Sequence, residues 1–284
     1  MPLLYYWRSD NYQRDRSFGF GFHLNQNSPA MATASPGDSL WAFTRSATGR
    51  YVLAAELVVR AVTRNPRNYR YGAWRIWGDL ERSRYFDADL GPNAEPLIRA
   101  LGIRASGAHL GQSFQGGAAV RRVSEAAHQT IAEFAREIPT LPTAAIYPED
   151  EFEARLVHDQ PVRPLVVREN RAQYGVRQRY LYESVDVQRA RRNVEALQQL
   201  YGGLCQICRY DPQQVYGHRL CHGHHVQWLS RGGADEVDNM VLVCPNHHAA
   251  IHRDDAIFDF SDRAFSFSNG LREVLALDRH LPAA

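Results

Sequence analysis

The run from Cys221 to His252, CHGHHVQWLSRGGADEVDNMVLVCPNHHAAIH, holds six of the chain's twelve histidines and two of its four cysteines. Imidazole and thiolate are side chains that grip transition-metal ions, and a neutral imidazole can also take a proton from water. Cys205-Gln-Ile-Cys208 is a C-x2-C knuckle, and Cys244-Pro-Asn-His247 repeats that spacing with histidine in second place. Together these four supply the Cys3His set of a tetrahedral structural zinc site. His218 and Cys221 compete for the fourth position should His247 point elsewhere; Cys221 reads better as a core thiol.

The other histidines suit a different task. His224 and His225 are neighbours on an expected strand, so their rings face opposite ways. One can bind a metal while the other stays available as a base. His248 and His252 have i, i+4 spacing and share one helix face. His224, His248 and His252 can therefore converge on one divalent cation, with positions left for water and a phosphate oxygen. His225 can deprotonate that water. Asn239 stands alone between the two histidine groups, at the end of the polar loop LSRGGADEVDN.

The order strand with His-His, loop, Asn239, strand, helix with His-x3-His resembles the HNH nuclease family and its ββα-metal fold. The resemblance covers Cys205 to His252 and includes the zinc knuckles, the Ser-Arg-Gly-Gly after the first strand and the Cys-Pro-Asn-His-His run leading into the helix. It implies that His225 is the general base and His224 a metal ligand, with His248 and His252 completing the site. Asn239 would pin the loop so that the base points at the scissile phosphate, and His247 would face the zinc. Many relatives carry an acidic residue where this chain has His222, whose role stays open. The implied reaction is phosphodiester hydrolysis with a 5′-phosphate product. The implied metals are a structural Zn2+ and a catalytic divalent cation, Mg2+ or Mn2+, with Ni2+, Co2+ and Zn2+ also compatible with three imidazoles.

The remaining chain must position and aim this site. At 284 residues it has room for more than one domain, and its 44% hydrophobic and 23% charged composition is that of a globular protein. No apolar run reaches the ~20 residues of a membrane span, and MPLLYYWRSD lacks a secretory pattern, so a cytoplasmic protein without a membrane partner is expected. All 33 basic residues are arginine. Seven lie between Arg60 and Arg84 against two acids, and eight between Arg163 and Arg192 against three. Such excesses suit a polyanionic partner.

Residues 1–60 read as short strands, LLYYW, SLWAF and YVLAAELVV, with Tyr69–Tyr71 and Trp74–Trp77 as further strand-like runs. Helical spacing appears at 95–102 and 124–138, the latter capped by Ser124. Pro139, Pro142 and Pro148 mark a boundary. The expected organisation is α+β: a β-barrel reader over 1–140, an Arg-rich helical linker over 141–200, and a zinc-stabilised nuclease domain over 201–284. That last domain ends in a small β tail, with a hairpin at Asn269-Gly270.

The aromatic strand followed by a Gly-Asp turn at Gly37-Asp38 resembles the PUA superfamily, and EVE-like domains in particular. Joined to an HNH nuclease, that resemblance implies a modification-dependent restriction endonuclease active in phage defence. Its substrate would be double-stranded DNA carrying 5-methyl- or 5-hydroxymethylcytosine, with the base flipped into a pocket. Trp7, Phe22 and Trp41 are candidate walls of that pocket, and His23 and Asn25 candidate polar readers. A lone HNH site cuts one strand per visit, so double-strand cleavage calls for a homodimer or two visits. Two other readings compete: an HNH nuclease whose N-terminal domain reads unmodified DNA or RNA, and a zinc-stabilised nucleic-acid binder without catalysis.

Overall fold

The computed structural model describes residues 1–18, 20–103, 109–141 and 187–284. The chain divides into two compact units, Met1–Ala145 and Ile146–Ala284. Most of the Arg-rich 141–200 segment, including Arg163 to Arg179, lies outside the described residues. Among the described residues no helix is long and apolar enough to cross a membrane.

The first unit is built on a seven-stranded sheet. Its elements are β1 (Leu3–Tyr6), α1 (Ser9–Phe18), β2 (His23–Gln26), β3 (Ser39–Arg45), β4 (Tyr51–Arg64), β5 (Trp74–Gly78), β6 (Arg84–Tyr85), α2 (Glu95–Ala100), β7 (Val120–Arg122) and α3 (Glu125–Ala135). The strand order is β2-β5-β4-β3-β1-β7, with β6 added to β4. β1 and β3 run parallel, with Leu4 opposite Trp41, and the other pairs are antiparallel.

β4 explains the curl. Its first half pairs with β3 and its second half with β5. The register shifts between Ala42 and Phe43 and again between Val59 and Ala61. Such irregularities bend a strand and raise its twist. The sheet therefore curls into a half-barrel, with β2 and β7 as open ends, where the sequence suggested a barrel. Inside the curl, Leu4, Trp41, Phe43, Leu53 and Phe86 are at most 0% exposed. α3 covers them with Ala127, Ile131 and Ala135, spaced four residues apart on one face. Ser124 begins α3 by accepting a hydrogen bond from Ala127 N at 3.1 Å.

Two local expectations fail in this unit. Tyr69–Tyr71 is a turn between β4 and β5: Asn68 and Gly72 have φ of 62° and 117°, which no strand accepts. Ser9–Phe18 form α1 within a stretch that reads as short strands, because SDNYQRDRSF is too polar to show a helical apolar stripe.

The second unit contains α4 (Val187–Tyr201), α5 (Pro212–Tyr216), β8 (His222–His225), β9 (Met240–Val243) and α6 (Pro245–Asp254). A three-stranded sheet of β10 (Ile257–Asp259), β11 (Ala264–Ser266) and β12 (Arg272–Val274) follows. Gly202 and Gly203, at φ 64° and 84°, end α4. The β11–β12 turn runs through Gly270 at φ 87°. β8 pairs with β9 so that His224 lies opposite Val241 and His225 opposite Met240. β9 is wholly buried, and Leu197, Ile251, Phe258 and Phe265 share its core. Gln206 extends this sheet edge: its backbone N–H donates to Leu242 O, and its Oε1 accepts from Leu242 N at 2.7 Å.

Replacing the α3 cap, Ser124→Ala, should cost about 1 kcal/mol. Urea unfolding followed at the first unit's tryptophans should show a lower midpoint with an unchanged slope.

Candidate active site and metal centres

β8, β9 and α6 place two donor groups in the second unit. In the first, one donor atom each from Cys205, Cys208, Cys244 and His247 lie within 4.8 Å of one another. Cys244 immediately precedes α6, and His247 sits in its first turn. His247 Nδ1 lies 3.1 Å from Cys244 Sγ and 3.6 Å from Cys205 Sγ. Its other ring nitrogen, Nε2, lies 3.2 Å from Glu273 Oε1 on β12. One nitrogen thus faces the sulfurs while the other is held by a carboxylate, the arrangement that fixes a metal-binding histidine. Burial pushes the Cys205 thiol up to about 12. A soft cation offsets that by binding the thiolate form, so the donor set fits zinc. His218 is exposed and Cys221 buried, and both lie outside this group of four. Burial likewise pushes the Cys221 thiol up to about 12, as suits a core residue.

In the second group, His224, His248 and His252 also bring ring nitrogens within 4.8 Å. His224 Nδ1 is 3.2 Å from His252 Nε2, which is 3.3 Å from His248 Nε2. Nitrogens that each lie ~2.1 Å from a shared ion, at roughly tetrahedral angles, are about 3.2–3.4 Å apart. The spacing therefore fits one cation. His224 is fully buried, and the Phe265 ring lies 5.9 Å from its own. The Trp228 ring lies 5.5 Å from His252. His222 is exposed, with its ring 4.9 Å from that of His248.

His225 faces away from this group, as strand alternation requires. Its Nε2 lies 3.1 Å from Asp235 Oδ1, and the two side chains are only 4% and 8% exposed. Asn193 Nδ2 on α4 donates to the Asp235 backbone oxygen at 3.1 Å. Asn239 closes the loop between β8 and β9. Its Nδ2 donates to Gln227 O at 2.9 Å and Ala234 O at 2.8 Å, and its Oδ1 accepts from Gln227 N at 2.9 Å. Within that loop, Arg231 is 2% exposed and pairs with Asp255 at 2.7 Å. Gly233 lies so close to the chain that a Cβ would sit 1.9 Å from Gln227 O.

Asp235 and Glu273 escaped the sequence reading. Each lies outside any ligand spacing, and only the fold brings it to its histidine. Asp235 did carry a weak signal, as an acid in the loop between His225 and Asn239.

The structure gives the five residues suggested for a base pocket the following surroundings. Trp41 is fully buried, donates Nε1–H to His128 Nδ1 at 2.9 Å and stacks on Phe86. Phe22 is 4% exposed and meets Tyr85 edge-on. Trp7 packs edge-on against Tyr12 and Phe20. His23 Nδ1 is 3.0 Å from Gly21 O. Asn25 Oδ1 accepts from Asn65 and from Arg75.

None of these five lines a cavity of about 730 Å³ in the unit, which is bordered by Tyr5, Tyr6, Arg8, Tyr51, Gln112 and Phe114. Gly111 lets the wall close up, since a Cβ there would lie 2.5 Å from the Tyr6 ring. Burial pushes the Tyr5 hydroxyl up to about 12, so it remains a hydrogen-bond donor at neutral pH. Of the N-terminal aromatic residues, Tyr5 and Tyr6 border the cavity, and Trp7, one residue beyond β1, packs edge-on against Tyr12 and Phe20.

Residues 205–254 match the family model for HNH endonuclease. No curated protein matches the chain. The chain therefore carries an HNH nuclease domain of the metal-binding, DNA-acting kind, and the matched stretch includes both donor groups, His225, Asp235 and Asn239.

If Cys205, Cys208, Cys244 and His247 hold a structural zinc, Cys205→Ser should lower the bound zinc by one equivalent per chain and lower the melting temperature of the second unit. Metal analysis after dialysis, with calorimetry on the same sample, measures both. Asn239→Ala removes three hydrogen bonds and should cost about 2–4 kcal/mol in chemical denaturation, with metal content unchanged.

Proposed function

We propose that this protein is a modification-dependent DNA endonuclease, with a PUA/EVE-like reader over 1–140, an Arg-rich linker over 141–200 and an HNH cutter over 201–284. The observation that carries the cutting half is the convergence of His224, His248 and His252 beside a fifteen-residue span that ends at Asn239 and holds His225 against Asp235.

The residues divide the work. A divalent cation held by His224, His248 and His252 would offset the charge that builds on the scissile phosphate and on the leaving 3′ oxygen. His225 acts as the base. With Nε2–H given to Asp235, water's proton goes to Nδ1, the water oxygen attacks phosphorus as the bond to the 3′ oxygen breaks, and the departing 3′ oxygen takes a proton from solvent. The products are a 5′-phosphate and a 3′-hydroxyl. Asn239 holds both ends of the loop, which keeps Asp235 and hence His225 in place. Cys205, Cys208, Cys244 and His247 would hold a structural zinc and so fix the first turn of α6, one residue before His248.

The reading half rests on the cavity of about 730 Å³, within the size range of small-ligand sites. The Tyr5, Tyr6, Tyr51 and Phe114 rings offer faces for a flipped base, while Arg8 and Gln112 offer hydrogen bonds to its edge. Modified cytosine in double-stranded DNA is the proposed ligand, and a second copy of the chain, or a second visit, completes a double-strand break.

Matched plasmids that differ only in cytosine modification, digested with Mg2+, Mn2+, Ni2+, Co2+ or Zn2+, test both halves. The modified plasmid should be cut and the unmodified one spared. His225→Ala should bind DNA as wild type does and cut at least ~100-fold more slowly. Equal cutting of both plasmids would remove the modified-base reader. Intact plasmid with every metal would remove the nuclease.

A further inference from the structure

The connection between β4 and β5, residues 65–73, joins two strands that carry an unusual charge. From Leu57 to Gly78 the chain has no carboxylate side chain, yet it includes Arg60, Arg64, Arg67, Arg70 and Arg75. Arg64, Arg67 and Arg70 are exposed. Among the described residues none of these three forms an ion pair, in contrast to Arg84 with Glu56 and Arg99 with Glu95. A solvated face usually interleaves signs, and this one does not.

A second observation is independent of exposure. Arg75 lies beneath the same turn, 2% exposed, with its guanidinium 5.3 Å from the Tyr69 ring, 4.8 Å from the Trp77 ring and Nε donating to Asn25 Oδ1. Its charge is balanced by rings and an amide rather than by a carboxylate. A buried cation of this kind adds to the positive potential above it, because a low-dielectric interior screens it poorly.

The turn is also rigid. Asn65 Nδ2 donates to Gly72 O at 2.7 Å, and Ala73 N donates to Asn27 Oδ1 at 2.8 Å. Gly72 sits against the end of β2, where a Cβ would lie 2.4 Å from the Gln26 carbonyl carbon. The Arg64 guanidinium stacks 3.5 Å above the Trp74 ring and that of Arg70 lies 5.4 Å from the Tyr71 ring. Stacking holds a guanidinium in place while its in-plane N–H groups stay able to donate. Tyr71 itself is 49% exposed beside them.

We propose that this hairpin end is a phosphate-backbone contact for duplex DNA, separate from the cavity, with Arg64, Arg67 and Arg70 donating to phosphate oxygens and Arg75 supplying field from below. It rests on the reading of the chain as a DNA enzyme. Pre-set guanidinium groups lose little freedom on binding, so the contact adds affinity without sequence preference.

The test compares wild type, the triple variant Arg64→Gln/Arg67→Gln/Arg70→Gln, and a control, Arg99→Gln, in fluorescence anisotropy with a 30-base-pair duplex over a salt series. Melting temperatures confirm that each is folded; single Arg67→Gln and Arg70→Gln variants repeat the test should loss of the Arg64–Trp74 stack unfold the triple. The expected result is at least a tenfold loss of affinity in the triple variant, with the slope of log affinity against log salt shallower by about 2–3. Arg99→Gln should match wild type, and modified and unmodified duplexes should weaken by the same factor. A folded triple variant that binds with wild-type affinity and slope would overturn the contact and leave the enzyme reading intact. Loss confined to the modified duplex would also overturn it, by making the hairpin a base reader. Wild type that does not bind duplex DNA would overturn the enzyme reading, and this contact with it.

Discussion

The nuclease unit depends on one constraint: adjacent residues on a helix point about 100° apart. His247 and His248 are neighbours on α6, so one turns to Cys205, Cys208 and Cys244 while the other turns to His224. A single helix end therefore serves two donor groups. The Cys3His group lies where the helix begins, the β8–β9 register places His224, and His252 follows His248 one turn later. A shift of the helix by one residue would turn each histidine about 100° away from its group and break both.

The same economy appears around His225. β8 sends His224 inward to α6 and His225 outward to Asp235, because strand neighbours alternate. The loop that returns the chain to β9 then does two things. Asn239 closes it, and Asp235 on it holds the His225 ring. Outer partners complete the unit: Glu273 reaches His247 from β12, and Asn193 reaches Asp235 from α4. Elements beyond the residues that match the HNH model thus steady groups within it.

In the first unit the organising element is β4, long enough to pair with β3 at one end and β5 at the other. Two register shifts let one strand serve both faces of a curled sheet. Concavity follows from that curl, and a cavity floored by β1 residues follows from concavity. The projecting end of β4 carries the arginines away from the core, which is why they remain exposed while Arg75, on the next strand, is covered.

The amino-acid sequence by itself determined the donor sets, because metal ligands in a compact unit obey short spacings: C-x2-C, C-x2-H and His-x3-His are legible without a fold. It also determined most strands of the first unit and the Ser124 cap, whose signals are local. The tertiary structure alone decided which acid serves which histidine, since Asp235 and Glu273 lie 10 and 26 residues from their partners and no periodicity links them. It alone decided that Trp41 and Phe22 are core and that Tyr5, Tyr6 and Tyr51 border the cavity. An aromatic ring has the same affinity for a core as for a pocket wall, and only the elements that pack around it separate the two.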